Sequence, residues 1–341
     1  MSKSIRPLFA LCALASLGAA TGCARTATFA VTRPAMLNAA AVGNTMTVAG
    51  IAAPTGMPQD VQAAAEIVAD LQQRIANSLN RSIRLLPAGG GVVITGQVIA
   101  NQYGERLQQI SATCYRSVTV YVNGQATTQS QGYPCSRQQR IGTAAARLEF
   151  TVTHGQTTQV IFDQTYEDAA TVTTSASDDR SSAPPIDGFG MLHNLRAGLT
   201  NRFARVILPY QENVTVEFED CDGDARCRQG YDLVQAGNLA AAEPLFTAVV
   251  GQYQNPGLPI PPNLAERIGE ALYNRGLARS YMGRYSVAVA DITRAIAIRP
   301  NETDWQAELQ SAQRMAHDQE ALRQQGAVSN ETQNVQQAGT P

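Results

Sequence analysis

The spacing of apolar residues changes period once along this chain, and that change limits what it can fold into. In the first two thirds Val118, Val120 and Val122 alternate with polar residues before an Asn123-Gly124 turn. Ala146, Leu148, Phe150 and Val152 alternate again, and beyond a His154-Gly155 turn Val160, Phe162 and Tyr166 return. Side chains on a strand point to opposite faces in turn, so each run offers one face to a core. Asn-Gly favours the tight turn of a hairpin. Beyond Cys227 the apolar residues recur at helical spacing instead. Hairpins followed by helices predict an α+β chain, not an alternating α/β one.

Two helices are predicted to pack on the sheet. Over residues 60–80 the apolar side chains fall at Val61, Ala64, Ala65, Val68, Leu71, Ile75 and Leu79, one stripe of an amphipathic helix, with Asp60 as its expected N-cap. Met191, Leu192, Leu195, Leu199, Phe203 and Val206 define the second, stopped by Pro209. Short strands are expected around Phe29 and over residues 45–51 and 92–100. Val214, Val216 and Phe218 are expected to complete the same sheet. Residues 175–185, rich in Ser, Asp and Pro, read as a mobile loop.

The N-terminus carries an address. Lys3 and Arg6 precede an apolar run over residues 8–17 and then small residues, the order of a secretory signal. The run is too short for a membrane-spanning helix, which needs about 20 residues. Ala20-Thr21-Gly22-Cys23 resembles a lipobox, where bacterial lipoproteins are diacylated on cysteine and cleaved before it. Ala20 stands where that pattern usually has leucine. The resemblance implies lipidation at Cys23, and Ala24 after it implies sorting to the outer membrane, facing the periplasm. Four cysteines of the mature chain remain, Cys114, Cys135, Cys221 and Cys227. In an oxidising compartment an even number predicts disulfides. Three pairings are open, and loop-closure entropy favours the local one, Cys114–Cys135 with Cys221–Cys227.

In the last third, Gly276, Gly283, Ala288, Ile292, Ala295 and Pro300 stand at the spacings of a tetratricopeptide repeat, and Gly230, Gly237, Ala242 and Phe246 repeat most of them. The region from 228 to 315 therefore resembles that family. The resemblance implies stacked helical hairpins closed by a capping helix over residues 305–323, and a concave groove that binds other proteins. Asn274 matches a groove-lining position, and Arg275 and Arg279 would place charge beside it. Arg279 departs from the family's usual tyrosine. An insertion over residues 255–262 stretches the repeat beyond the family's period of about 34. The preceding domain resembles, in order of elements, curli-secretion-type envelope lipoproteins. The expected organisation is then a signal peptide (1–22), a lipidated tether (23–44), an α+β domain (45–220) holding a mixed sheet and two helices, an all-α repeat module (221–323) and a disordered tail (324–341).

No chemistry stands out. His154, His193 and His317 fall in separate elements, which disfavours a Ser-His-Asp hydrolase. The acidic turn from Asp220 to Asp224 lacks the ligand pattern of a calcium loop. Gly89-Gly90-Gly91 precedes a strand, not the helix start that a phosphate loop needs. The chain has 26 basic and 28 acidic residues, which gives no electrostatic case for nucleic acid. The sequence thus predicts a non-catalytic adaptor without cofactor or metal, held to the membrane by lipid and bound to a periplasmic or outer-membrane protein. Two alternatives stay open: a component of a secretion or assembly channel, whose hairpins over 115–122 or 148–166 enter the membrane, and a hydrolase of envelope polymer.

Overall fold

The structure is a computed structural model; it describes residues 25–37, 44–81, 83–123, 125–252 and 260–325. The elements in chain order are β1 (Arg25–Arg33), β2 (Thr45–Ala52), α1 (Pro58–Ala76), β3 (Arg84–Leu85), β4 (Val92–Val122), β5 (Gln125–His154), β6 (Val160–Ser175), α2 (Gly188–Ile207), β7 (Tyr210–Phe218), α3 (Ala225–Gln235), α4 (Leu239–Val250), α5 (Pro262–Tyr281), α6 (Tyr285–Ile298) and α7 (Thr303–Gln324). They form two compact units. Among the described residues, the sheet unit is 30–212 with 313–325, and the helical unit is 25–29 with 213–312.

The sheet unit is built on a five-stranded sheet in the order β3-β2-β4-β5-β6. The β2–β3 and β2–β4 pairs are parallel and the rest antiparallel, so the sheet is mixed as expected. Every second residue of β5 from Ala144 to Val152 is buried, the period-two pattern of a strand with one face in the core. Ile67, Leu71 and Ile75 of α1 and Leu199 and Phe203 of α2 fill the same core. Phe203 stacks on Phe150 with ring centroids 4.2 Å apart. Gly96, opposite Phe150, has no room for a side chain, because a Cβ there would lie 2.3 Å from the Glu149 carbonyl oxygen.

Three local expectations change. Strand β4 does not stop near residue 100 but runs 31 residues, because β5 accompanies it without interruption from His154 back to Gln125. Asp60 is not the cap of α1; Met57 occupies that position, with Pro58 opening the helix. Asp60 is instead buried in the first turn, where Thr55 Oγ1 donates to it at 2.5 Å. Strand β7 does not join the large sheet but pairs with β1 as a separate two-stranded sheet. The segment expected as tether thus carries a strand from Arg25 onward. The Ser/Pro loop after β6 is held at its ends: Ala183 N donates to the Gln138 side chain and Ala176 N to the Gln138 carbonyl.

In the helical unit, Gly237 and Gly283 take positive φ (77° and 80°) at the turns after α3 and α5, where a side chain would be strained. Gly276 lets α5 and α6 touch, since a Cβ there would sit 2.5 Å from Ile292 Cγ1. Trp305, 1 % exposed, stacks on Tyr273 at 4.9 Å. Among the described residues no helix is long and apolar enough to cross a membrane.

Candidate functional site

Among the described residues of the sheet unit, a cavity and a hairpin offer surface to a partner or ligand. The first is a cavity of about 610 Å³ between α1, β4 and the start of α2. Its floor is a polar chain. Arg196, 8 % exposed, donates to Asn101 Oδ1 at 2.9 Å and to Glu66 Oε2 at 2.6 Å. Asn101 Nδ2 in turn donates to Asp60 Oδ1 at 3.2 Å, and Gln62 Nε2 donates to Glu66 Oε1 at 3.0 Å. Burial raises the Glu66 carboxyl, but the Arg196 guanidinium outweighs it and holds the group below the ordinary carboxylate range. One nitrogen, Arg196 Nε, is buried without a partner among the described residues. Tyr103, Ile186, Phe189 and Leu192 supply apolar walls. The start of α2 is closed by its own cap, as Asp187 Oδ1 accepts from Gly190 N at 2.8 Å.

The second is the far half of the β4–β5 hairpin. Strand β6 stops at the level of Gln139, so residues 108–122 and 125–138 pair only with each other, apart from the loop contacts at the base of β5. This two-stranded ribbon reaches roughly 50 Å at about 3.3 Å per residue. Of its described side chains only Cys114 is buried, and its disulfide to Cys135 ties the two strands together. No Asp or Glu occurs between Glu105 and Glu149, whereas Arg106, Arg116, Arg137, Arg140 and Arg147 do. Strand β6 is the opposite case. It is the 16-residue edge of the sheet, and it exposes Asp163, Glu167 and Asp168. Arg147 and Arg202 approach Glu167 and Asp168 only at 4.0 and 3.9 Å, in exposed pairs that offset little charge.

The residues singled out from sequence are placed as follows. Cys23 and the signal lie outside the described residues, as does the tail beyond Gln325. The cysteines pair locally, Cys114–Cys135 and Cys221–Cys227. Asn274 does not face a groove. It is fully buried and clamps the backbone of Glu219, accepting from its N–H and donating to its carbonyl, both at 2.8 Å. Arg275 is buried and grips Asp291 with two bonds of 2.6 and 2.8 Å. Arg279 bonds Asp291 at 2.5 Å and Glu243 at 2.7 Å. All three are committed to bonds inside the helical unit. The acidic turn is equally occupied: Asp224 caps α3, Asp222 meets Arg267 at 3.0 Å and Asp220 meets Arg25 at 2.6 Å. Among the described residues no group of three or more His, Cys, Asp or Glu could hold a metal. His154 closes the turn after β5 and His317 lies on α7, whereas His193 lines the cavity.

Sequence reasoning missed the cavity. Its signal was Arg196, which falls on the apolar stripe of α2 between Leu192, Leu195 and Leu199. A charge in that row is buried against a partner or lines a site.

In the helical unit, the buried Glu270 bears on stability at different pH. Burial pushes the Glu270 carboxyl up to about 7, helped by the nearby Glu219, against the Asp222 N–H and Arg299. Arg299 lies 2.7 Å from Glu270 but also serves Glu302 at 2.5 Å and Glu266 at 3.6 Å, so its charge is shared. A carboxyl raised on folding binds its proton more tightly in the native state. Its contribution is therefore full below about 4.5 and is lost as pH rises through about 7. The expected loss is on the order of 3 kcal/mol. Glu270→Gln should flatten most of the fall in melting temperature between pH 5 and pH 8; an unchanged slope would assign it to other groups.

No family model matches the chain, and no curated protein matches it. Among solved structures, a dodecamer of a PelC point variant from Paraburkholderia phytofirmans aligns with 53 % of this chain and 94 % of that chain, at 15 % identity and a TM-score of 0.25. The likeness to tetratricopeptide repeats and to curli-secretion lipoproteins is corrected by these findings. No model of either family matches, and the residues expected in a groove are bonded inside the helical unit. The glycines that suggested a repeat are explained by close contact between neighbouring helices at Gly230 against Phe246 and Gly276 against Ile292, and by turns at Gly237 and Gly283.

Proposed function

We propose that this chain is a non-catalytic assembly subunit of the bacterial cell envelope, joined to further copies of itself by strand addition. In this reading the ribbon of one copy docks along the β6 edge of the next. The observation that carries it is the charge division between the two: a ribbon whose only charged residues are Arg116 and Arg137, and an edge strand with three exposed carboxylates. Unpaired strand edges invite pairing, and main-chain bonds to an added strand supply affinity. Unlike surfaces on one chain make head-to-tail contacts, which build rings or filaments. Lipid on Cys23 would hold the assembly at the membrane; the lipobox supports this, and so does the pairing of all four remaining cysteines of the mature chain as disulfides.

Insertion of the hairpins into the membrane is a poorer reading. A lipid-facing strand needs an uninterrupted apolar row. One face of the ribbon carries Arg116, Gln129 and Gln131 between its valines, and the other carries Gln109, Ser111 and Ser117. The hairpin over 148–166 has its apolar face in the core, with Leu148, Phe150 and Val152 all buried.

Sedimentation mass tests the proposal. The mature chain is expected to sediment as a multiple of its own mass. A variant with residues 109–138 replaced by a two-residue Asn-Gly turn joining Gln108 to Gln139 should sediment as a folded monomer. A monomeric parent chain, or a shortened chain that still assembles, would overturn it.

A further inference from the structure

The cavity beside α2 has no part in strand addition, and its chemistry identifies a ligand class. We propose that it binds an uncharged sugar unit. Its volume, about 610 Å³, falls in the range of small-molecule sites, roughly 300–1,000 Å³. The aromatic walls are unlike each other. Tyr103 is a fixed surface: it lies against the backbone of Gly188, where a Cβ would come 2.5 Å from the ring. Phe189 is 82 % exposed at the mouth. A phenyl ring held in water on a helix start contributes nothing to the core, but it can cover the C–H face of a pyranose ring.

The polar groups suit hydroxyls. Gln59 and Gln62 bring amides to the wall, Glu66 brings a carboxylate, and Arg196 brings a guanidinium. Amides, carboxylates and a guanidinium together both donate and accept, as adjacent hydroxyls do. An anion is disfavoured. The Arg196 charge is already offset by Glu66 at 2.6 Å, and the positive end of α2 is taken by the Asp187 carboxylate. An apolar ligand is disfavoured too, because it would cover the Gln59 and Gln62 amides and the Glu66 carboxylate without pairing them.

The test is calorimetric titration of the whole chain with maltotriose, cellotriose and tri-N-acetylchitotriose, beside trigalacturonate as the anionic counterpart and Gly-Phe-Gly as a peptide. At least one neutral trisaccharide is expected to bind with Kd of about 1 mM or tighter, and more tightly than trigalacturonate. Phe189→Ala, at a side chain too exposed to matter for folding, should weaken that binding about fivefold or more. Gln62→Ala should weaken it as well, with the melting temperature kept. The proposal is overturned if no neutral sugar binds, if trigalacturonate or the peptide binds best, or if Phe189→Ala leaves the affinity unchanged.

Discussion

Phe203→Ala is expected to leave the sheet unit largely unfolded at physiological temperature. Phe203 is fully buried, stacks on Phe150 at 4.2 Å and lies 6.2 Å from Phe162. It thereby joins α2 to β5 and β6 at the centre of the core. Deleting a buried phenyl ring costs about 3–5 kcal/mol, made up of lost transfer energy and the cavity left behind. That is comparable to the whole stability of many domains, about 5–15 kcal/mol. Phe203→Leu keeps most of the volume and should cost much less. Urea unfolding followed by far-ultraviolet circular dichroism measures both. A small change for Phe203→Ala would mean that the two helices are not held by this core.

Much of the sheet unit was legible because its residues answer to local rules. The buried row of β5 follows from alternation alone, and the stripes of α1 and α2 from helical spacing. The local disulfides follow from chain entropy. The length of the β4–β5 hairpin was not legible, because residues 101–117 scatter a few apolar residues among polar ones and carry no period-two signal. They are strand because the partner strand supplies every hydrogen bond, a long-range cause that no short window contains. The destination of β7 failed for a related reason. Val214, Val216 and Phe218 announce a strand with one buried face, but nothing in them says which strand lies alongside.

The helical unit teaches a different lesson. Its glycines and small residues match repeat spacings without making a repeat groove, and Asn274, Arg275 and Arg279, expected as groove residues, are bonded inside the unit. Polar side chains on a helix face water or a buried partner, and the sequence around them does not say which. Their partners, Glu219, Asp291 and Glu243, lie on other elements and become visible only when those are brought together. Arg196 is the converse case, a charge on an apolar stripe whose position alone signalled a site.

The most direct test of head-to-tail assembly is a reciprocal charge exchange. One variant carries Arg116→Glu and Arg137→Glu, the two charged residues of the ribbon, and the other carries Glu167→Arg and Asp168→Arg on the β6 edge. In the first, an acidic ribbon meets an acidic edge; in the second, both surfaces are basic. Each variant alone therefore opposes like charges at every contact, which disfavours the wrong pairing. When the two are mixed, the acidic ribbon of the first meets the basic edge of the second, and the remaining surfaces are complementary as well. The measurement is sedimentation velocity of each variant and of their equimolar mixture at low salt, where such charges are least screened. The account predicts monomers from each variant alone and assemblies only from the mixture. Assembly of either variant alone to the mass of the parent chain, or a mixture that stays monomeric, would contradict it.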